Sequence, residues 1–482
     1  MSRYLAISAF GFLWLAGSLQ GQSFTQITNN AAPIEDYGVQ VSADGNTLVW
    51  FRYNQSASLT QEIWMWDART WKERRLVAGL PLVVSSELAL SGDGSTVVYP
   101  NQKQLFKIST SGGTPTAVTT LSSRVVIDGY GLSLSDDGRY VCCTTQPATP
   151  GICDVEVIDT VTRKRTNITN LTNWEACWGC ISGDGKKVAF SARRTSLTTP
   201  GQIWLANADG TGLQQLTSFT SGSTGYVRLD RRATICAFEH YWGNSNVTGN
   251  TYTVSIPTKV VTDLSRNPRA PELRPEVSAD GERVTWRTHR AYNQVVMFEI
   301  HMDYPEGSVA RRITTFGDQD PTLQGLRRHG VNHDGSVIAF TSARDPAGKV
   351  QPDGEVWIFQ DAIRQTGPPV TGSVVTFLLN DPAAAGHGYL VRSAFARTPG
   401  IPLPGGATVP LAVDALFGLS GQIPWIFHNY TGVLSVTGAA TPSVAIPQAS
   451  ALVGLSFYTS FVSYRTTIKA HNVVRTEIHS GS

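Results

Sequence analysis

Charge is sparse and evenly split in this 482-residue sequence: Asp, Glu, Lys and Arg make up 16% of it, with 39 Lys and Arg against 37 Asp and Glu. No long basic run occurs, which removes the electrostatic footprint of a nucleic-acid binder. After the N-terminus no apolar run reaches the ~20 residues of a spanning helix. A G-x-S-x-G elbow is missing, so the nucleophile of an α/β-hydrolase has no place in the chain. Cys177-Trp178-Gly179-Cys180 is the single C-x-x-C, whereas zinc needs about four convergent ligands.

What is present points to an all-β chain. Gly, Thr and Ser recur between short Val, Ile, Trp and Phe runs, the pattern of many short strands joined by turns. One ordinary core stops growing at ~250–300 residues, so this length calls for several domains or a repeat. Arg3, the apolar stretch Tyr4 to Ala16 and the small or polar Gly17, Ser18, Gln20 and Gly21 read as a signal peptide over residues 1–21. The mature protein is then expected in the periplasm or outside the cell. In such an oxidising compartment disulfides persist, and Cys142, Cys143, Cys153, Cys177, Cys180 and Cys236 read as structural or free thiols. No metal or cofactor is expected.

One unit recurs along the chain: a Ser or similar residue, an Asp-Gly turn, an apolar triplet, a variable loop, a second apolar strand and a short Leu-Thr-like strand. Asp-Gly stands at 44–45, 93–94, 137–138, 184–185, 280–281 and 334–335. The spacing is about 48 residues, with one double interval that implies a degenerate copy at Asp230-Arg231-Arg232. Seven units result. Asp-Gly between alternating strands predicts a two-residue hairpin turn. The strands that follow, such as Leu48-Val49-Trp50 and Val188-Ala189-Phe190, are apolar on both faces, as in a sheet sandwiched between two others. The seventh unit lacks its fourth strand. Phe24-Thr25-Gln26-Ile27-Thr28 matches the missing piece and is expected to close the array by pairing in the last unit.

At these residues the chain resembles the TolB-like (WD40-like, PD40) propeller family, with its S-x-D-G, E-I-W and L-T pattern, over roughly 24–362. The resemblance implies a seven-bladed β-propeller at 22–363, followed by a linker at 364–372. Residues 373–482, with short apolar runs between Asn-Asp-Pro, Pro-Gly-Gly and Thr-Gly turns, read as a small β-sandwich. Their Thr398-Pro399-Gly400-Ile401-Pro402-Leu403-Pro404-Gly405-Gly406 segment resembles a C-terminal module of secreted bacterial proteins, for which attachment or sorting is the expected role.

The loops between second and third strands vary most in length, and variable loops on a rigid scaffold are where binding residues usually lie. The ends of the second strands offer Tyr53, Arg194, His240, Tyr241, Trp242, His289, Arg290, Tyr292 and Arg344, which are expected to ring one mouth of the central channel. Aromatic faces beside Arg and His suit a sugar or an anion. His329 and His333 straddle a strand and its turn and are not expected to converge on a metal. The expected function is a non-catalytic, monomeric binding or scaffolding propeller for a protein or glycan partner. Two alternatives stay open. One is a polysaccharide lyase or hydrolase, for which the family's His-x-His pair is missing and only His240, His289 and His301 speak; the other is a Tol-type envelope component.

Overall fold

The computed structural model describes residues 23–480 except 32, 55, 57–59, 83–86, 102–103, 120–123, 127–130, 148–151, 170–172, 196–198, 243–248, 266–271, 293–294, 306, 308–309, 315–328, 345–349, 367–368 and 405–407. The expected signal peptide lies outside the described residues. The chain is all-β and divides into two compact units, one holding residues 24–360 and the other beginning at Asp361. Among the described residues no helix is long and apolar enough to cross a membrane.

The larger unit is a succession of antiparallel sheets. Six are continuous in sequence, over residues 34–81, 89–117, 124–167, 174–215, 223–263 and 272–312. A seventh joins three strands at 329–360 to Ser23–Gln26, which forms its outer edge. The degenerate copy at Asp230 therefore makes a sheet, and the N-terminal strand pairs where the sequence places it. Ile27 N donates to Val356 O at 2.8 Å, Thr28 Oγ1 to Glu355 at 2.6 Å, and the Phe24 ring packs on Phe340 and Phe359. Each sheet packs on the next, and the last packs on the first. Val188, Ala189 and Phe190, like Leu48, Val49 and Trp50, are fully buried, since a second strand meets a neighbouring sheet on both faces.

The Asp-Gly turns differ from the expected two-residue hairpins. Ser42 N donates to Thr47 O at 2.9 Å across a four-residue loop, and Gly45 N donates back to Ser42 O. Only the glycines need the left-handed region, at φ between +71° and +75°, with Ala233 at +53° in the degenerate copy. The aspartate serves as an acceptor instead. Asp44 Oδ1 takes hydrogen bonds from Ser42 Oγ and Asn46 N, while Ser42 Oγ accepts from Thr47 N. Burial opposes the Asp44 charge, but these bonds outweigh it and hold the carboxyl below its ordinary value. The Ser-x-Asp-Gly signature thus satisfies a tight loop in five sheets, with Asp230 and Asn332 taking the place of the serine in the other two.

These loops also join the sheets in a ring. Ala43 N donates to Gly92 O, Asp93 N to Asp136 O, Asp136 N to Gly183 O, Asp184 N to Arg231 O, Arg231 N to Ala279 O, Asp280 N to His333 O and His333 N to Ala43 O, all between 2.8 and 3.0 Å. The circuit visits all seven sheets and returns to its start.

In the second unit, two antiparallel sheets share one core. Val375, Phe377 and Val444 of one sheet meet Val391, Phe461 and Val474 of the other. Ile363–Thr366 is already a strand of this unit, paired with Val374–Asn380, so regular structure begins inside the stretch read as the propeller's end and linker. A buried Ser463, His471 and Asp381 lie together here, but the serine (2.9 Å) and the aspartate (3.4 Å) both meet the same ring nitrogen, Nε2. That is a structural network and not a nucleophile relay, in which base and orienting group use different nitrogens.

Deleting residues 24–29 removes the closing strand and its Phe24 packing, each Phe being worth ~3–5 kcal/mol when fully buried. The expected result is a thermal midpoint lower by about 5 °C or more, measured by scanning calorimetry. An unchanged midpoint would show that the ring does not depend on this edge.

Candidate functional site

The first strand of each sheet lies innermost, and its residues together with the turn residues line an axial cavity of about 150 Å³ bounded by all seven sheets. Two layers of this lining carry charge, and a third layer of the innermost strands lies next to it without lining it.

The outermost layer is the second residue of each turn, the x of Ser-x-Asp-Gly in five sheets and its counterpart in Asp230-Arg231-Arg232-Ala233 and Asn332-His333-Asp334-Gly335: Ala43, Gly92, Asp136, Gly183, Arg231, Ala279 and His333. Asp136, Arg231 and His333 are each set between small residues here. Asp136 and Arg231 pair across Gly183 at 3.0 Å. A Cβ at Gly92 would collide with the Asp136 carboxylate, and one at Gly183 would lie 2.6 Å from Asp136 Oδ1, so only glycine leaves this carboxylate its room. Burial raises the Asp136 carboxyl above its ordinary value, against the pull of Arg231 and His333.

Deeper in, Arg228 and Glu276 pair at 3.0 Å with both side chains largely buried. Against the cost of burial, the charges of Glu276 and Glu87 raise the Arg228 guanidinium above its ordinary value. Glu87 lies two residues before the first strand of the second sheet and Arg228 in the fifth, so this attraction spans the axis.

The third layer is built by β-bulges in the innermost strands. Register shifts occur between Tyr37 and Gln40, Cys177 and Cys180, Gly225 and Arg228, and Leu273 and Glu276. Each bulge holds a residue in the left-handed region: Gly38 at φ +70°, Trp178 at +60°, Tyr226 at +43° and Arg274 at +57°. For Trp, Tyr and Arg this conformation costs roughly 1–3 kcal/mol each. The other described non-glycine residues with positive φ lie in turns and loops. The three strained side chains stack in order, with Trp178 on Tyr226 at 4.1 Å and the Arg274 guanidinium 4.4 Å from the Tyr226 ring centre. The equivalent positions in the second and third sheets are Glu87 and Gly131, and a Cβ at Gly131 would press on the Trp178 backbone at 3.1 Å.

Behind this layer two ionisable groups are fully buried. Glu239 accepts from Arg274 N, while its Oε2 has no hydrogen-bond partner. Burial pushes its carboxyl up to about 7, against the opposing pull of the Arg274 amide and of nearby guanidiniums. Burial, with Arg274 beside it, brings Arg287 down to about 9.

Of the residues expected at the site, Tyr53, Arg194, His240 and Tyr241 lie on second strands and Trp242 just beyond one, and these five are not in the lining of the cavity. Tyr53 donates to Glu35, and Arg194 stacks on Trp174 at 5.6 Å. His240 is buried against Phe219 at 4.0 Å with Nε2 3.0 Å from Ser221 O, and burial lowers its pKa. Tyr241 packs over Gly225, and Trp242, 38% exposed, meets the edge of His240. The structure therefore brings His240, Tyr241 and Trp242 together at the end of one strand, apart from Tyr53 and Arg194. His289, Arg290 and Tyr292 fall on Val284–Tyr292, and Arg344 on Val337–Arg344; their side chains lie outside the described residues. His301 bonds Thr288 at 2.7 Å, and His329 bonds Thr285 at 2.9 Å. Sequence reasoning missed the inner layer, although counting back six residues from each turn aspartate, or from Arg232, finds Gly38, Glu87, Gly131, Trp178, Tyr226 and Arg274. Arg328, the seventh, lies outside the described residues.

The larger unit has the β-propeller fold. Its arrangement is similar to oligogalacturonate lyase from Vibrio parahaemolyticus at TM-score 0.52 and 15% identity, over 70% of this chain and 93% of that one. It is equally similar to an oligogalacturonate lyase in complex with manganese (0.52, 15%, 71% and 94%). TolB from Agrobacterium tumefaciens also matches, at 0.41 and 16% over 53% and 89%. No known family matches the sequence, and no curated protein does.

Glu239 gives stability a defined pH dependence. Its folded pKa stands above the ordinary 4.5, so its contribution is whole below about 4.5 and is lost as pH rises through about 7. Glu239→Gln removes that loss. Relative to the parent it should gain about 2 kcal/mol between pH 5 and pH 8, read from urea unfolding at the two pH values; equal slopes in the two proteins would place the titration elsewhere.

Proposed function

We propose that residues 24–360 form a seven-bladed propeller that binds a glycan end at its axis without catalysing a reaction. Residues 1–21 then act as a signal peptide, and the mature protein works as a monomer in the periplasm or outside the cell. Residues 373–482 form a β-sandwich for attachment or sorting. The observation that carries the binding role is the run of left-handed, non-glycine bulge residues Trp178, Tyr226 and Arg274 in three successive sheets. Packing alone gives no reason to maintain such strain at three equivalent positions, whereas a ligand surface does. Aromatic rings beside Glu87 and Arg274 supply the stacking faces and the hydrogen-bonding groups that sugar recognition uses. Gly38 and Gly131, on either side of Glu87, add no side chains to the same layer.

The likeness to oligogalacturonate lyases raises the lyase alternative, and manganese provides its test. Manganese favours carboxylate, imidazole and water ligands. Among the described residues one group of three metal-type ligands converges, Cys153, Glu175 and Cys177, and two of the three are thiols. His240, His301 and His329 are each engaged within or beside their own sheets. The Cys153, Glu175 and Cys177 group does not suit manganese; His289, the third histidine expected for lysis, has its side chain outside the described residues.

Glycan-array screening followed by calorimetry on the best ligand tests the proposal. Trp178→Gly relieves the strained φ while removing the ring, so it should fold with a midpoint within about 3 °C of the parent and bind at least tenfold more weakly. Trp242→Ala, at the second-strand end, should bind within twofold of the parent. The reverse ranking would move the site to the long-loop face, and chelator-sensitive cleavage of polyuronate would replace binding with lysis.

A further inference from the structure

We propose that Cys153 and Cys177 form a disulfide that ties the third sheet to the fourth. Cys153 sits one residue before the strand Asp154–Asp159 of the third sheet, and Cys177 is the last paired residue before the bulge in Trp174–Ile181 of the fourth. Ala176 N donates to Cys153 O at 3.1 Å, which brings the two backbones side by side. Their sulfur atoms and a Glu175 carboxylate oxygen all lie within 4.8 Å of one another, and the thiols share a hydrogen bond. A covalent bond requires the two sulfur atoms to close to ~2.05 Å. Both residues are half-buried, so an exchange partner can reach them, whereas Cys142, Cys143, Cys180 and Cys236 are buried in the sheet cores.

The same three residues do not make a good metal site. Arg193 donates twice to Glu175 Oε2, at 2.8 and 3.0 Å, which places a cation against the carboxylate. Among the described residues a soft divalent ion would find two thiolates and this arginine-paired carboxylate, one short of the four ligands that zinc needs. In the oxidation the two thiols lose two protons and two electrons as the Sγ–Sγ bond forms. The electrons reduce one disulfide of a protein or small-molecule exchange partner to two thiols. The bond would close a loop of about 24 residues and hold the chain on one side of Trp178, so it would also fix the bulge that carries the axial stack.

Thiol titration of the denatured full-length protein, after incubation with oxidised glutathione and removal of excess reagent and with protein-bound glutathione counted together with the thiols, tests the pairing whether or not the chain is exported. Cys153→Ser frees the partner sulfur, so the titrated count should rise by one relative to the parent; the double variant Cys153→Ser/Cys177→Ser should return to the parent count. The parent's thermal midpoint should fall by about 5 °C on reduction, and the double variant should show no such fall. A count that drops by one in Cys153→Ser would place Cys153 among the unpaired thiols and overturn the pairing. Release of the two thiols by a chelator without reductant would overturn it in favour of a metal.

Discussion

Closure of the ring is the constraint on which the larger unit depends. A four-stranded sheet whose second strand is apolar on both faces cannot stand alone, because both faces must be covered at once. Stacking sheets covers all but the first and last faces, and bending the stack until those two meet covers them as well. Two devices hold that closure. At the inner end, backbone hydrogen bonds run from turn to turn through all seven sheets. At the outer edge, Ser23–Gln26 completes the sheet that the C-terminal repeat leaves one strand short.

The same closure explains how strained residues persist at the axis. A bulge that turns Trp178, Tyr226 or Arg274 into the left-handed region would relax in an isolated hairpin. Here each innermost strand is held between two others and pinned at its turn, so the local cost of roughly 1–3 kcal/mol is set against the larger cost of opening the ring. The buried pair Arg228 and Glu276, the carboxylate of Glu87 across the axis and the unpartnered oxygen of Glu239 belong to the same environment. Charges removed from water in this way are held only while the surrounding sheets hold their partners in place.

Much of the architecture was legible because it depends on local pattern. Asp-Gly at a regular spacing, apolar triplets after each turn and a missing fourth strand matched by Phe24 to Thr28 are features of neighbouring residues, and each reappears as a sheet, a turn or a closing edge. The turn type was less legible. Asp-Gly suits a two-residue hairpin, but Ser42 and Asp44 also bond to each other and to the loop amides, and that network selects the longer loop. The site was least legible: His240 and Arg194 sit at prominent strand ends, yet the ring of His240 packs on Phe219 and the guanidinium of Arg194 lies on Trp174.

By itself the sequence determined that the chain is all-β, that its unit repeats about every 48 residues and that its first strand belongs with its last repeat, because periodicity and strand pattern are properties of residues close in the chain. Which side chains share the axis was decided only by the tertiary structure. Glu87, Trp178, Tyr226 and Arg274 are separated by one to four repeats, and only the closed circle of sheets turns one position of each repeat toward a common centre.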